Sequence, residues 1–301
     1  MGPYVELLRT KQWIKNVAVL AALPFGWLEH GLACTESMIF AFATYCLASS
    51  AVYALNDVID RKEDLLHPGK KNRPVARGAV SPAGACALAS VLAISSLAMS
   101  LLIADQRFLL CVASYLVLML AYSVYLKREP ILDVIIIASG FVLRTTAGAV
   151  AVSVYISPWL IVCTFTLCLF LGFGKRRSEV YAMTHSDTAA QHRSTLSHYS
   201  ADLLNQLLST SAGMALVTFM LYIMDTESQT VVFDKRPMLF TFPLVAYGLF
   251  RYAMLIESGK VTGPTDVILK DRVLPVVILV WILTSAVIIL FEPIRTLLPI
   301  G

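Results

Sequence analysis

The sequence predicts an all-α integral membrane protein with nine membrane-spanning helices. Of its 301 residues, 57% are hydrophobic and only 15% are charged, whereas about 25% of the residues of a soluble domain are charged. The mean hydropathy is +0.72. A helix needs about 20 mostly apolar residues to cross the hydrocarbon core of a bilayer. Nine apolar segments meet this need and form one predicted transmembrane domain over residues 1–301: 16–32, 37–56, 84–104, 108–126, 131–153, 157–174, 205–224, 238–256 and 273–292.

Lysine and arginine concentrate in alternate loops, and this bias predicts the orientation in the membrane. With a cytoplasmic N-terminus, 18 of the 24 basic residues fall in cytoplasmic segments and 4 in external ones. The other two, Arg144 and Arg251, fall inside predicted spans. We therefore predict a plasma (inner) membrane protein with a cytoplasmic N-terminus and an external C-terminus. Because orientation accounts for the net charge of +4, nucleic acid is not a predicted partner.

A charged stretch, YALNDVIDRKEDLLHPGKKNRPVARG, follows the second apolar segment. If the helix continues, about 100° per residue places Asn56, Asp57, Asp60 and Asp64 on one face. Mg²⁺ prefers such oxygen ligands and commonly binds through one or two carboxylates together with substrate phosphates. The four residues therefore predict a Mg²⁺ site for a diphosphate-bearing substrate. The alternative is a solvated helix end whose acids pair with the basic residues between them.

The second half of this stretch, HPGKKNRPVARG, predicts a phosphate-binding loop. Its prolines and glycine end the helix and bring Lys70, Arg73 and Arg77 over the acidic face. Arginine can bind phosphate through two parallel hydrogen bonds, and lysine adds a compact charge. Anchoring to the inner leaflet is the alternative; it explains the cations but not their pairing with the acidic cluster.

The motif N-D-x-x-D-x-x-x-D from Asn56 to Asp64 resembles the first signature of the UbiA-type intramembrane prenyltransferase superfamily. The resemblance implies a bundle of transmembrane helices around a central cavity that opens to the cytoplasmic side. Further stretches resemble the decaprenyl-phosphate phosphoribosyltransferase branch of that superfamily. They are RTKQWIKN (9–16), HPGKKNRPVARG (67–78), YSVYLK (122–127), FVLRTTAGAVA (141–151) and FGKRRSE (173–179).

The position of the superfamily's second acidic motif separates the branches. Enzymes that ionise a prenyl diphosphate usually carry a second D-x-x-x-D there, but this chain reads GKRRSEV, with Lys175 and Arg176 followed by the single acid Glu179. Phosphoribosyl diphosphate has a 5-phosphate besides its diphosphate, and the lipid acceptor brings a third phosphate group. Additional cations would balance the negative charge of these three groups. A basic helix end on the cytoplasmic side is the alternative.

Several single polar residues are also candidates. Arg144 lies inside a predicted span, where an ionisable residue usually faces a cavity or a partner. Asp133 could be a relay partner of Arg144, or it could cap the fifth predicted helix at its cytoplasmic end. Tyr122 and Lys127 could hold a phosphate, the alternative being an aromatic belt and a snorkelling lysine.

The predicted reaction is transfer of 5-phosphoribose from phosphoribosyl diphosphate to a polyprenyl phosphate, with release of diphosphate and Mg²⁺ as cofactor. The predicted catalytic residues are Asp57, Asp60, Asp64 and Lys175, and the predicted metal ligands are Asn56, Asp57, Asp60 and Asp64. The predicted substrate-binding residues are Lys15, Asn56, Lys70, Arg73, Arg77, Tyr122, Lys127, Asp133, Arg144, Arg176 and Glu179. The alternatives are an aromatic prenyltransferase and, in another class, a transporter or lipid-binding protein.

Overall fold

The computed structural model describes residues 2–66, 69–103, 105–184, 196, 198–225, 235–259, 261, 263, 266–267 and 270–290. Within these ranges the regular structure is helical throughout. The predictions made for His67, Pro68 and the C-terminal residues 291–301 lie outside the described residues. The chain divides into two compact units, which meet between Val154 and Tyr155 in the sequence. Each unit is described by itself, and the single transmembrane domain stays a prediction.

Unit 1 is built around one long central helix. Its elements are α1 (Pro3–Leu7), a 3₁₀ helix (Thr10–Ala22), α2 (Leu23–His30), α3 (Cys34–Ile59), α4 (Arg61–Leu66), α5 (Pro82–Ser100), α6 (Gln106–Val124), a short 3₁₀ helix (Leu126–Arg128) and α7 (Leu132–Ala151). α3 packs against α5, α6, α7 and the first 3₁₀ helix. Small buried residues such as Ala41, Ala48 and Ala54 let the neighbouring backbones come close. The acidic motif at the end of α3 is thus held by several elements.

The 3₁₀ helix Thr10–Ala22 is unusually long, since runs beyond three or four residues are uncommon. With three residues per turn, side chains three apart lie in line, and the buried residues Asn16, Val19 and Ala22 follow that spacing. Gly148 of α7 makes this packing possible, because a Cβ there would overlap the carbonyl oxygen of Val19. The segment is therefore fitted closely against α7.

Eight helical stretches of the described residues are long and apolar enough to cross a membrane. Seven of them match one predicted segment each. The first, Pro3–Ile59, covers both of the first two predicted segments, and Gly31, with a φ of 65°, lies near the end of the first of those two, directly after α2. The prediction of an all-helical membrane protein is confirmed.

Unit 2 contains α8 (Pro158–Thr184), α9 (Ala201–Met224), a 3₁₀ helix (Arg236–Thr241), α10 (Phe242–Glu257) and α11 (Val273–Leu290). α8 runs along α9, and α10 packs against α8, α9 and α11. The hydroxyls of Thr166 and Thr218 lie 3.1 Å apart between α8 and α9. α8 continues well past the predicted end of its span at residue 174, so Lys175 lies within a helix instead of at its end.

Candidate active site

The acidic motif stays compact where α3 gives way to α4. The amide of Asp60 donates to the carbonyl of Asn56 over 2.9 Å, and the amide of Asp64 donates to the carbonyl of Asp60 over 2.8 Å. Helical hydrogen bonding therefore bridges the junction. The Asn56 side chain also donates to Oδ2 of Asp60 over 2.9 Å. As a result, the carboxylates of the motif lie on one side of the chain.

Three cations from other segments bind these carboxylates. Nη1 of Arg73 lies 2.6 Å from Oδ2 of Asp64 and 3.4 Å from Oδ1 of Asp57. Arg9, which follows α1, forms an ion pair with Oδ1 of Asp57. Lys127, buried in the short 3₁₀ helix after α6, forms an ion pair with Asp60. Every aspartate of the motif is thus neutralised by a positive charge that is distant in sequence or comes from the following loop.

One carboxylate oxygen of the motif has no partner among the described residues. Asp57 is only 1% exposed, and its Oδ2 is buried with no hydrogen-bond partner in the described part of the chain. A buried polar atom without a hydrogen-bond partner destabilises the folded state by about 1 to 3 kcal/mol, and a charged atom by more. The nitrogen of Arg73 already places a positive charge between Asp57 and Asp64. The unpaired Oδ2 of Asp57 and the positive charge accepted between Asp57 and Asp64 are both compatible with a bound divalent metal.

The number of protein ligands also bears on the kind of metal site. Among the residues that the structure describes, no group of three or more His, Cys, Asp and Glu side chains is arranged to hold a metal ion. Mg²⁺ typically takes one or two carboxylates and completes its shell with water and substrate phosphates. The acidic motif therefore fits a metal that arrives with a phosphate-bearing substrate.

The loop after α4 carries its cations on successive turns. The amide of Arg73 donates to the carbonyl of Lys70, and the amide of Arg77 donates to the carbonyl of Arg73, each over 2.9 Å. The Arg77 side chain forms an exposed ion pair of 2.8 Å with Glu6 of α1. Lys70, Arg73 and Arg77 are therefore brought together on one loop, and Arg73 pairs with the acidic motif.

Arg144 lies in the interior of unit 1 and is 4% exposed. Its guanidinium donates to Oδ1 of Asn16 over 2.9 Å, to the hydroxyl of Tyr115 over 2.7 Å and to the carbonyl of Gly140 over 3.1 Å. All three partners are neutral. Asp133 is buried in the first turn of α7, roughly 16 Å from Arg144 along the helix at 1.5 Å per residue. The contacts of Arg144 thus do not support a relay between Asp133 and Arg144. The position of Asp133 in the first turn of α7 suits the alternative role, because a carboxylate there is stabilised by the helix dipole.

The basic segment of α8 contains cations with different surroundings. Arg176 is buried and forms an ion pair with Glu179. Lys175 lies 3.8 Å from the same carboxylate, and its side chain is 54% exposed. The exposed ammonium of Lys175 can therefore meet a ligand more readily than the buried guanidinium of Arg176.

Arg177, next in the chain, has a structural role in unit 2. Its Nε donates to Oδ1 of Asn205 over 2.8 Å, and its Nη2 lies 3.2 Å from Glu257. These contacts tie α8 to α9 and α10. The helix contacts account for Arg177 without any ligand.

Sequence reasoning named most of the side chains gathered at the motif but missed Arg9 there, and it also missed Asn16 and Tyr115, which hold Arg144. Arg9 lies in the stretch RTKQWIKN and adopts a left-handed conformation with a φ of 49°. Asn16 is a buried amide at the start of a predicted span, a signal comparable to that of Arg144. Nothing in the local sequence distinguishes Tyr115 from other tyrosines. Tyr122 lies half-buried in the last turn of α6, and its predicted role stays a prediction.

The fold and the site define a membrane-spanning helical protein whose acidic motif is surrounded by phosphate-binding side-chain types. The UbiA prenyltransferase family matches the chain over residues 17–268. The chain belongs to that family and is an enzyme, a transferase.

Curated relatives agree with this assignment, and a solved structure shares the fold. The chain is 32% identical, over 96% of its length and 92% of the other, to decaprenyl-phosphate phosphoribosyltransferase of Mycolicibacterium smegmatis. It is also 32% identical to the enzyme of that name from Corynebacterium glutamicum, over 92% of this chain and 84% of that one. A UbiA homologue from Archaeoglobus fulgidus, solved with DMAPP and Mg²⁺, superposes with a TM-score of 0.69 at 18% identity and covers 95% of this chain and 98% of that one.

Proposed function

We propose that this enzyme transfers 5-phosphoribose from phosphoribosyl diphosphate to a polyprenyl phosphate and releases diphosphate in a Mg²⁺-dependent reaction. The likeness to decaprenyl-phosphate phosphoribosyltransferases, 32% over nearly the whole chain, carries the proposal. The geometry of the acidic motif supports it, because carboxylates interleaved with arginine and lysine suit a metal-bound diphosphate.

Mg²⁺ would be held by Asp57 and Asp64, with Asn56 and Asp60 beside them. Support for this set comes from the orphaned Oδ2 of Asp57 and from the cation position that Asp57 and Asp64 share. When bound, the metal neutralises charge on the leaving diphosphate. Its presence in solved UbiA homologues with prenyl diphosphates is consistent with this assignment.

The cations of the motif would then serve the donor's phosphates. Arg73 is about a quarter exposed and Lys127 lies on Asp60, so both cations are already placed beside the carboxylates that would bind metal. Arginine offers paired hydrogen bonds to phosphate oxygens. Lys70 and Arg77 extend the same loop. In unit 2, Lys175 and Arg176 would bind phosphate, and Glu179, which pairs with both of them, would hold the two cations in place.

The chemistry needs little acid–base help from the protein. A phosphate oxygen of the acceptor forms a bond to the anomeric carbon while the bond from that carbon to the diphosphate breaks. The acceptor is already anionic, so no strong general base is required. The enzyme's contribution is alignment of the two reactants and exclusion of water.

We further propose nine spans with the acidic motif on the cytoplasmic side. The break at Gly31 divides the stretch Pro3–Ile59, and two crossings there bring the eight candidate stretches to nine spans. A reporter fusion after Arg77 should report a cytoplasmic location. An external location would overturn the topology. The cavity opening to the cytoplasm stays a prediction.

Purified protein tests the reaction directly. It is incubated with Mg²⁺, labelled phosphoribosyl diphosphate and a panel of lipid phosphates, and labelled lipid is then extracted. Label is expected in the lipid fraction only when donor, metal and a polyprenyl phosphate are all present. Parallel reactions contain a labelled prenyl diphosphate and aromatic acceptors. Transfer from the prenyl donor alone would favour an aromatic prenyltransferase, and transfer from neither donor would contradict both reactions.

A further inference from the structure

The N-terminal 3₁₀ helix is hydrogen-bonded to α3 through two consecutive serines. Nε1 of Trp13 donates to Oγ of Ser50 over 3.0 Å. Nδ2 of Asn16 donates to Oγ of Ser49 over 3.1 Å. Trp13 and Asn16 are three residues apart, which is one turn of a 3₁₀ helix, so their side chains lie in line. Both serines are 1% exposed. The segment is therefore attached to α3 by specific polar contacts as well as by packing.

The hydroxyl groups of these two serines donate to different parts of the chain. A serine inside a helix commonly donates to a carbonyl one turn earlier in its own helix, and Ser49 does so to Cys46 over 3.2 Å. Ser50 instead donates to the carbonyl of Leu8 over 2.8 Å. A hydroxyl can donate one hydrogen bond and accept others, and Ser50 uses both capacities on the N-terminal segment. Ser50 thus holds that segment at Leu8 and at Trp13.

Arg9 lies between these two points of attachment. Its backbone is left-handed, with a φ of 49° and a ψ of 50°, a conformation that residues other than glycine adopt infrequently. Such a conformation persists when the surrounding structure fixes it. The hydrogen bonds of Ser50 to Leu8 on one side and to Trp13 on the other provide two of these constraints. They therefore help to fix the direction in which the Arg9 side chain leaves the backbone.

One face of α3 leads from Ser50 to the acidic motif. Ser50, Tyr53 and Asp57 are spaced by three and then four residues, so their side chains lie on the same face of the helix. The guanidinium of Arg9 lies over the ring of Tyr53, 5.4 Å from the ring centroid, and pairs with Oδ1 of Asp57. Ser50 is therefore about 10 Å along the helix from the carboxylate that Arg9 binds.

We propose that Ser50 is a positioning residue for the metal-binding carboxylate of Asp57. Ser50 fixes Leu8 and Trp13, which flank Arg9 in the chain. Arg9 in turn holds Oδ1 of Asp57, and Oδ2 stays available to the metal. The metal role of Asp57 rests on the proposed function. Groups that hydrogen-bond a ligating carboxylate orient it, and their loss typically lowers metal affinity about 10- to 100-fold.

Mn²⁺ binding by the full-length enzyme tests the proposal without turnover. The enzyme is titrated with Mn²⁺ at a fixed concentration of inorganic diphosphate, and electron paramagnetic resonance measures the bound metal against a protein-free blank. Arg9→Met should weaken Mn²⁺ binding about 10- to 100-fold. Ser50→Ala, which acts through Arg9, should weaken it up to about tenfold, the equivalent of one or two neutral hydrogen bonds. Ser50→Thr keeps the hydroxyl and should restore most of the affinity.

Ser49→Ala is the matched control. Ser49 is adjacent to Ser50 and equally buried, so its substitution removes similar packing and a similar hydroxyl. Its hydrogen bonds go to Asn16 and to its own helix, and neither flanks Arg9. Ser49→Ala should therefore bind Mn²⁺ as wild type does. A loss of Mn²⁺ affinity in Ser49→Ala as large as that in Ser50→Ala would overturn the proposal.

A double-mutant cycle separates positioning from a general structural effect. Because Ser50 acts through Arg9, Ser50→Ala should cause no further loss of Mn²⁺ affinity when Arg9→Met is already present. Equal losses in both backgrounds would overturn the proposal. Trp13→Phe removes one of the two hydrogen bonds of Ser50 and should lower the affinity about threefold. This variant replaces Ser50→Ala if the latter does not fold, and unchanged affinity in it would also overturn the proposal.

The remaining outcomes separate this inference from the proposed function. A rise in Mn²⁺ affinity in Ser50→Ala would indicate that Arg9 competes with the metal and would overturn the positioning role. Unchanged affinity in Ser50→Ala, together with the expected loss in Arg9→Met, would overturn it too and leave the proposed function standing. The expected losses in both variants, without phosphoribosyl transfer by wild type, would instead contradict the proposed function and leave the positioning role standing.

Discussion

Asp57 in unit 1 and Asp271 in unit 2 both stand near helix ends and both bind arginine, but their two oxygens are used differently. Oδ1 and Oδ2 of Asp271 accept from Nε and Nη2 of Arg251 over 3.0 and 2.8 Å, and Oδ1 also accepts from the amides of Val273 and Leu274 at the start of α11. Every oxygen of Asp271 therefore has a partner.

Asp57 has the opposite distribution. Two arginines, Arg9 and Arg73, lie on its Oδ1, while its Oδ2 has no partner among the described residues. A carboxylate whose hydrogen bonds are complete fixes two elements to one another. A carboxylate with one oxygen left bare in the interior carries a desolvation cost that a bound cation would relieve. The comparison therefore distinguishes a carboxylate whose two oxygens are both paired from one whose bare oxygen supports the proposed metal role.

The largest expected effect is on turnover in Asp57→Asn. Turnover should fall about 10²- to 10³-fold, as for other losses of preorganised electrostatic stabilisation. The protein should still fold, because asparagine keeps an oxygen for Arg9, which is 22% exposed. EDTA should reproduce the loss in wild type. Asp271→Asn, assayed per folded molecule, is the control and should retain turnover. Full activity of Asp57→Asn, or of wild type in EDTA, would remove the metal role.

Replacement of Arg73 in unit 1 or of Arg251 in unit 2 by lysine should have a smaller effect than Asp57→Asn. The two substitutions should again give different results in the two units. Arg73→Lys keeps one charge but cannot reach both Asp57 and Asp64, so KM for phosphoribosyl diphosphate should rise roughly tenfold, the loss of one charged hydrogen bond. Arg251→Lys should leave KM unchanged and lower only the Tm. The comparison breaks down if Arg251→Lys raises KM as much as Arg73→Lys does.

Asp271→Ala should lower stability modestly. The substitution removes the oxygen that caps α11, and loss of such a cap costs about 1 kcal/mol. Differential scanning calorimetry or a thermal aggregation assay in detergent measures the shift. Asp271→Ser, which retains a capping oxygen but not the charge, should recover part of the lost stability. No difference between the alanine and serine variants would show that the cap contributes little.

The smallest expected effect is the pH dependence of the Arg251–Asp271 pair. The hydrogen bond from Arg251, followed by that from the amide of Leu274, lowers the pKa of Asp271 from 3.8 to about 2. The pair therefore stabilises the fold fully above pH 3.8, the ordinary value, and loses that contribution as the pH falls to about 2. The pair is partly exposed, so solvent screening keeps the contribution small. The stability difference between wild type and Asp271→Asn should shrink over this interval and should be constant above it.

Several features of this protein follow from local sequence. The apolar segments and the membrane class depend on composition over about 20 residues, a property that distant contacts do not change. Asn56, Asp57, Asp60 and Asp64 fall on one side because helical geometry relates near neighbours in the chain. The amino-acid sequence alone therefore reveals their acidity, the cations that follow them and the likeness of the motif to the UbiA family.

Only the tertiary structure decided which charges meet. Lys127 binds Asp60 across 67 positions of the chain and Arg9 binds Asp57 across 48, and no periodicity links such residues. The same limit applies to Arg144, whose place in a span marked it as unusual but whose partners Asn16 and Tyr115 come from other elements. Sequence determined which residues are charged and which segments enter the membrane. Folding decided that both oxygens of Asp271 are paired and that Oδ2 of Asp57 has no partner among the described residues, because each outcome depends on distances between elements that the chain order does not specify.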